Sequence, residues 1–333
     1  MNQRYRPITR LGLGGTGLGD MYHTTSDEAA SSTVDAAWEA GIRYFDTAPH
    51  YGAGLSEHRF GQALRRRPRE EYTLSTKVGR LLVPHGPGEI AAPFVGTLPF
   101  KRVLDYTADG ARRAVEDSLQ RLALGHIDIV YVHDLSPDAL PQAEFEHHFG
   151  IAAGRNGAFE GLVRLREEGL IKGWGMGVNT IEPCMRALRQ SDPDIFLLAG
   201  RYTLMETTPL QEFFPLCQQR GASVVLGGPF NSGFLAGGEH YDYQPATPEQ
   251  HAHRERLRKV AAQHGVDLPA AALQFGLAHP VVAATIPGAS SPQHLKRNAA
   301  LLDIQIPAAF WEQLQAEGLL PPEAPIPPRK PVV

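Results

Sequence analysis

The sequence predicts an α/β protein built as a single-domain (β/α)8 (TIM) barrel spanning 1–333. Two observations carry this. Strand-like runs rich in Val, Ile, Leu and Tyr alternate with helical segments eight times, with no linker between them. Successive runs also end in polar residues: Asp46, Lys77 and His133 close 44–46, 73–77 and 127–133. In a closed barrel such ends converge on one face, where ligands and catalysis reside. A length of 333 residues suits one barrel with long loops better than an open doubly wound sheet.

The first strand is short and leads into 11–19, Leu-Gly-Leu-Gly-Gly-Thr-Gly-Leu-Gly. A dinucleotide fingerprint needs a helix running straight out of the loop and an acidic residue about twenty positions on. Here Asp20-Met-Tyr-His intervenes, and helical patterning starts only at Ser26. The stretch reads instead as a backbone wall, including Gly15 and Thr16, that a flat ligand can approach closely. Ser26-Asp27-Glu28 opens a helix with acidic residues in its first turn, and it continues through Val34, Ala37 and Trp38 to Gly41. A strand at 44–46, a helix at 56–64 and a strand at 73–77 follow. The insertion 79–107 is rich in Pro and Gly and reads as irregular, yet Leu81, Leu82, Phe94, Phe100 and Tyr106 favour a packed lid.

An amphipathic helix covers 108–122, with Val115, Leu119 and Leu122 on one stripe, and strand 127–133 follows. A second irregular insertion is expected at 135–156. Helices at 158–168, 181–190 and 210–220 then alternate with strands at 173–178, 195–199 and 223–226. A third loop insertion, 229–247, precedes helices at 248–264 and 269–278, strand 282–286 and a last regular helix at 292–300. The Pro-rich 321–333 reads as tail.

Hydrophobic residues make up 42% of the chain and charged ones 20%, enough for a full core. A net charge of −4 argues against a nucleic-acid surface, and the run Arg65-Arg66-Arg67-Pro-Arg69 reads as a solvated turn. Cys184 and Cys217 lack metal-ligand spacing and suit two reduced thiols. No apolar signal core or membrane-length run is present. The expectation is a cytoplasmic protein acting on a small molecule, with no nucleic-acid or membrane partner. Oligomeric state has no signature in the sequence.

Asp46, Tyr51, Lys77 and His133 all fall at or just past strand ends. Singly, each has a bland reading: a turn cap, a loop aromatic, a snorkelling lysine, a satisfied core histidine. Together they suit proton transfer. A free phenol has a pKa of about 10, which a nearby ammonium lowers. A carboxylate would hold the lysine charged, and an imidazole would orient a carbonyl or hydroxyl while the tyrosine acts as acid or base. None of these groups moves hydride, so redox use requires an organic cofactor. His50, Asp46, His133 and Asp134 do not have metal-ligand spacing, so no metal is expected. No Gly-x-Ser-x-Gly elbow is present for acyl transfer.

Gly41 to Gly52 (Gly-Ile-Arg-Tyr-Phe-Asp-Thr-Ala-Pro-His-Tyr-Gly), with Ser56-Glu57, Ser75-Thr-Lys77 and Asp128-Ile-Val-Tyr-Val-His133, resembles the signature and catalytic tetrad of the aldo-keto reductase family. The resemblance extends from about Ile8 to Leu302. It implies a (β/α)8 barrel that binds NAD(P)(H) without a Rossmann unit. It assigns Tyr51 as general acid/base, Lys77 and Asp46 as its tuning pair, and His133 as the group that orients the reacting oxygen. Asn179, ending Gly-Trp-Gly-Met-Gly-Val-Asn, resembles the residue that holds the nicotinamide carboxamide, offset by about one position from the usual pattern.

The same resemblance places Gly228, Pro229, Phe230, Ser232, Gly233 and Leu235 over the pyrophosphate. It places Pro287, Gly288, Ala289, Ser290, Ser291, His294 and Asn298 along the adenosine. Gly227 stands where relatives carry a tyrosine stacked on the nicotinamide. Gly288 and His294 stand where NADP-preferring relatives carry Lys and Arg, so NAD is favoured, with Ser290 and Ser291 still able to accept NADP. The insertion pattern looks like the branch that contains L-fucose (D-threo-aldose) 1-dehydrogenases, with pyridoxal dehydrogenases nearby. By this resemblance the chain oxidises the C1 hydroxyl of an aldose to the lactone, with Tyr51, His133, Phe100 and Arg201 at the substrate. The alternatives are an NADPH-dependent aldehyde reductase and a non-catalytic nucleotide-binding subunit.

Overall fold

The computed structural model describes residues 4–86 and 92–328. Eight parallel strands form the sheet: β1 (Leu13–Gly14), β2 (Tyr44–Asp46), β3 (Thr73–Val78), β4 (Ile129–His133), β5 (Gly173–Val178), β6 (Ile195–Ala199), β7 (Ser223–Gly227) and β8 (Val282–Ile286). They are hydrogen-bonded in sequence order, as a chain of right-handed βαβ units requires. Closure comes from the residues flanking β1. Thr285 N–H donates to Arg10 O at 2.8 Å, and Gly12 N–H donates to Thr285 O at 2.9 Å. A Cβ on Gly12 would lie 2.7 Å from Ile286 Cγ2 and 2.9 Å from Tyr44 O, so the glycine allows the seam to close. Gly175 is tighter still, because a Cβ there would fall 1.8 Å from Ile195 O across the β5–β6 ladder.

Strand burial explains the sequence pattern. β2, β3, β4, β5, β7 and β8 are buried along their whole lengths, so they read as continuous apolar runs. Side chains pointing inward, among them Tyr44, Ile129, Tyr131, Ile195, Leu197, Val225 and Ile286, fill the barrel. The larger core lies between the strands and the surrounding helices. The helices start where the sequence signals them: Ser26 and Thr107 accept hydrogen bonds from the backbone of Asp27–Glu39 and Ala108–Leu122 respectively.

Three expectations are corrected. The 79–107 insertion is an antiparallel hairpin, Arg80–Pro84 against Phe100–Leu104, rather than irregular chain. Pro and Gly at its tip hid the strand alternation. The 135–156 insertion contains a helix, Gln142–Ala153, that buries Phe145 and Phe149. The helix at 292–300 is not the last regular one, because Ala308–Ala316 follows and seats Phe310, Trp311 and Leu314 in the core. After it, Ala324 is also buried, and Gln315 Nε2 donates to the carbonyls of Pro321, Pro322 and Ala324. The chain is therefore anchored beyond the start of the expected tail, while 329–333 lie outside the described residues.

At the opposite end from the polar strand termini, Asp128 gathers four partners. It pairs with Arg69 at 2.6 Å and Lys172 at 2.7 Å, and it accepts from Leu74 N–H at 2.8 Å and Tyr5 hydroxyl at 3.2 Å. Part of the basic run read as a solvated turn is thus structural. Breaking a buried ion pair from one side costs about 3–5 kcal/mol. Asp128→Ala is expected to lower the unfolding free energy by about that amount in a denaturant titration. The folded fraction should retain its kcat, because the group lies far from the polar strand ends. Wild-type stability in the variant would contradict this role.

Candidate active site

The carboxyl ends of β2, β3 and β4 bring the predicted polar residues together. Asp46 ends β2, Lys77 is the penultimate residue of β3, and His133 ends β4. Lys77 Nζ donates to Asp46 Oδ2 at 2.7 Å and to Thr47 O at 2.8 Å. Ser75 hydroxyl donates to Asp46 Oδ1 at 2.6 Å. Beneath them Tyr44 hydroxyl lies 3.1 Å from both Ser75 Oγ and Tyr131 hydroxyl, so a polar chain crosses the barrel interior. Tyr51 reaches over this floor from the loop after β2. Lys77 Nζ stands 4.8 Å from the centre of its ring, and the His133 ring lies 5.8 Å away, edge-on.

Burial and local charge set the protonation states. Burial first, then Asp46 and Asp134, hold the Tyr51 phenol well above its usual value, while Arg80 opposes them. The expected lowering by Lys77 is therefore overturned: the ammonium charge is directed onto Asp46 and Thr47 O, and desolvation of the phenolate dominates. His133 is pushed well below the imidazole range by burial and by the positive charges of Arg80 and Lys77, so its ring is neutral. Burial likewise lowers His50 to about 3, aided by Arg80 and Arg102. The site thus presents a protonated phenol beside neutral imidazoles.

The 80–104 hairpin completes the wall. Phe94 stacks on Tyr51 with ring centres 5.8 Å apart. Tyr106 hydroxyl donates to His133 O at 3.1 Å, and Arg80 pairs with Asp134 at 3.2 Å. Thr16, His50, Tyr51, Lys77, His133, Asp134, Asn179 and Tyr243 line the resulting pocket.

A long cleft continues from this pocket. Gly15, Thr16, Asp46, Gly228, Pro229, Phe230, Ser232, Gly233, Pro287, Gly288, Ala289, Ser290 and His294 all line it, as expected of cofactor-binding residues. Asn179 borders the catalytic pocket, and its amide donates to Asp138 at 3.1 Å. Other expected residues lie elsewhere. Leu235 is buried, and its N–H is taken by Phe230 O at 3.0 Å. Ser291 caps the helix Pro292–Leu301 by accepting from His294 N–H. Asn298 lies behind the cleft and donates to Gly288 O at 3.4 Å. Phe100 pairs with Pro84 in the hairpin and does not line the pocket, where Phe94 takes the place expected for it. Arg201 lines a neighbouring side pocket and pairs with Asp242 at 2.8 Å.

Sequence reading missed Met21, Tyr22, His23 and Tyr243 in the cleft, and Pro93 and Phe94 in the catalytic pocket. His50 and Asp134, neighbours of Tyr51 and His133, were weighed only as metal ligands. Their adjacency to the tetrad was the available signal. Tyr243 had none, because it arrives at the tip of a small hairpin, His240–Tyr241 against Gln244–Pro245.

The cleft fits a nicotinamide dinucleotide. It is about 370 Å³, and Gly14, Gly15, Gly17, Gly228, Gly233 and Gly288 leave backbone along much of its wall. Among the described residues no group of three His, Cys, Asp or Glu could hold a metal ion, and no helix is long and apolar enough to cross a membrane.

Comparison with known proteins agrees with this geometry. The profile of the Aldo/keto reductase family matches residues 10–317. Pyridoxal 4-dehydrogenase of Microbacterium luteolum is 40% identical over 327 residues, covering 94% of this chain and 95% of that protein. D-threo-aldose 1-dehydrogenase of a Pseudomonas species is 37% identical over 324 residues, covering 94% and 95%. Among solved structures, the holo form of aldo-keto reductase AKR11C1 from Bacillus halodurans has a TM-score of 0.72 at 27% identity, covering 96% of each chain. An aldo/keto reductase from Klebsiella pneumoniae in complex with NADP and acetate shares the fold, with a TM-score of 0.65 at 24% identity, covering 95% of this chain and 96% of that one. The chain belongs to the Aldo/keto reductase family, as an oxidoreductase enzyme that works with a nicotinamide cofactor.

Proposed function

We propose that this protein oxidises the C1 hydroxyl of a D-threo-aldose, L-fucose among them, to the lactone with NAD+. The observation that carries this reading is the lining of the catalytic pocket. Tyr51, His133, Asp134, His50, Asn179 and Tyr243 place hydrogen-bonding groups around one small space. Such a lining suits a ligand with a hydroxyl on nearly every carbon, because buried polar groups left unpaired are costly. The 37% identity to a D-threo-aldose 1-dehydrogenase supports the same class.

The residues divide the work as follows. Neutral His133 holds the C1 oxygen by a hydrogen bond. For oxidation Tyr51 first releases its own proton to solvent; the phenolate, stabilised by the positive charge of Lys77 above its ring, then takes the hydroxyl proton and returns to the phenol. Asp46 and Ser75 fix Lys77 in that position. Nicotinamide seated in the cleft supplies the hydride acceptor. Running in reverse, Tyr51 as a protonated phenol is the acid for carbonyl reduction. NAD is favoured because no Lys or Arg lines the cleft among the described residues, and Arg297 borders only the recess beyond His294.

A second reading, oxidation of pyridoxal, draws on the 40% identical relative and on the stacked Tyr51–Phe94 pair, which offers an aromatic face to a flat ring. NADH formation from L-fucose, D-arabinose, L-xylose and pyridoxal, each with NAD+ and NADP+, separates the two. Turnover of an aldose with NAD+ is expected. Turnover of pyridoxal alone selects the second reading, and reduction of simple aldehydes with NADPH alone overturns both.

Tyr51→Phe is expected to lower kcat by about 10²–10⁴-fold, the usual contribution of a general acid or base. Its nucleotide affinity, read by quenching of protein fluorescence, should stay within about twofold, because the ring and its stacking remain. Parallel loss of both would assign Tyr51 to binding.

The pH dependence follows from the signs of the shifts. Tyr51 is held protonated through the neutral range, so oxidation should speed up as pH rises and more phenol can release its proton. Reduction should stay flat up to about pH 10. His133 and His50 are already neutral, so neither rate should inflect near the ordinary imidazole value of about 6.5. An inflection there that His133→Asn abolishes would contradict the neutral imidazole.

A further inference from the structure

A second cavity of about 480 Å³ opens beside the catalytic pocket, which measures about 170 Å³. The two share Asp134, Asn179, Ala199 and Tyr243 as common walls. The far side is built by Asp138, Arg201, Asn231 and Asp242. None of these residues is needed for proton transfer at Tyr51.

The chemistry of this lining is specific. Arg80 offsets Asp134 at 3.2 Å, and Arg201 offsets Asp242 at 2.8 Å. Asp138 accepts from Asn179 at 3.1 Å. Each carboxylate keeps further acceptor capacity, and Arg201 and Asn179 keep further donors. Asn231 is buried behind this wall, and its Nδ2 donates to Gly200 O at 3.1 Å. Three carboxylates would repel an anion, and the described residues hold no metal-binding group. A neutral group that both donates and accepts hydrogen bonds fits, and a sugar hydroxyl is such a group.

We propose that this side pocket is a carbohydrate subsite that holds a second glycosyl unit attached to the reacting sugar, so that the preferred substrate is a glycosylated aldose with a free reducing end. Asp138 and Asp242 accept from its hydroxyls, and Arg201 donates to them. Tyr243 forms the partition between the two rings. The inference rests on the reading that the substrate is a sugar.

The test compares L-fucose with a 4-O-glycosylated L-fucose in the wild type, in Asp138→Ala and in Arg201→Ala. Asp138 is exposed, so its replacement leaves the fold intact, and Arg201→Ala provides a second route. The wild type should show a higher kcat/KM for the extended sugar, mainly through KM. Each variant should reduce the ratio of extended to short kcat/KM about tenfold, the scale of one charge-assisted hydrogen bond. No advantage for the extended sugar in the wild type, or an equal loss for both sugars in the variants, overturns the subsite. Saturation-transfer NMR with the same sugars reads binding without turnover. If the glycosyl protons receive saturation in the wild type and lose it in Asp138→Ala while no aldose is oxidised, the subsite stands and the proposed reaction falls. Absence of that signal in the wild type overturns the subsite.

Discussion

The ion pair between Lys77 and Asp46 constrains everything above it. Both groups are almost wholly buried, at 1% and 3% side-chain exposure, and they sit 2.7 Å apart. Two charges withdrawn from water are tolerated only with close pairing and further hydrogen bonds. Here Thr47 O and Ser75 hydroxyl supply those bonds, and the Tyr44–Tyr131 pair extends the polar chain across the barrel. The parallel register sets Asp46 opposite Ser75 and leaves Lys77 two residues further along the same strand. β2 and β3 therefore cannot slip without stranding a charge. The chemistry and the register of the fold are one constraint.

The field of this pair reaches Tyr51, the group proposed to react, unequally. Lys77 lies over the Tyr51 ring, yet its charge is directed at Asp46, and Tyr51 remains a firmly protonated phenol. The resting site is poised as an acid. Proton acceptance by the phenolate depends on positive charge near the ring and on exclusion of water. The hairpin Arg80–Pro84 and Phe100–Leu104 contributes to both. It brings Arg80 beside His133 and Asp134, and between its strands Phe94 covers the face of Tyr51. The insertion read as a packed lid thus also bears on the protonation of the centre, through Arg80.

The cofactor cleft follows a different logic. Its walls are glycine-rich, with backbone and the small polar side chains of Thr16, Ser232 and Ser290 facing it. Cationic side chains cluster instead around the catalytic and side pockets, as Lys77, Arg80 and Arg201, each beside a carboxylate. Charge is thus neutralised locally, and the ligand meets hydrogen-bonding capacity rather than net charge.

The sequence by itself determined the barrel and singled out the four residues proposed for proton transfer. Eight apolar runs of strand length, punctuated by helix caps, leave little topological choice, and several predicted bounds, such as 44–46, 173–178 and 282–286, match the observed strands. Asp46, Lys77 and His133 were legible because each lies at or next to the end of its strand, so local position already fixed their face. Tertiary structure alone decided what surrounds them. The strands at Arg80–Pro84 and Phe100–Leu104 pair only with each other, across a Pro- and Gly-rich tip that masks their alternation. That pairing put Phe94 rather than Phe100 at the site. Tyr243 comes from a turn more than a hundred residues from His133 and was invisible, because loop side chains carry no periodicity to read. The state of Tyr51 was likewise undecidable from residue types, since a lysine nearby lowers a phenol's pKa while burial raises it, and only the packed geometry shows that burial wins.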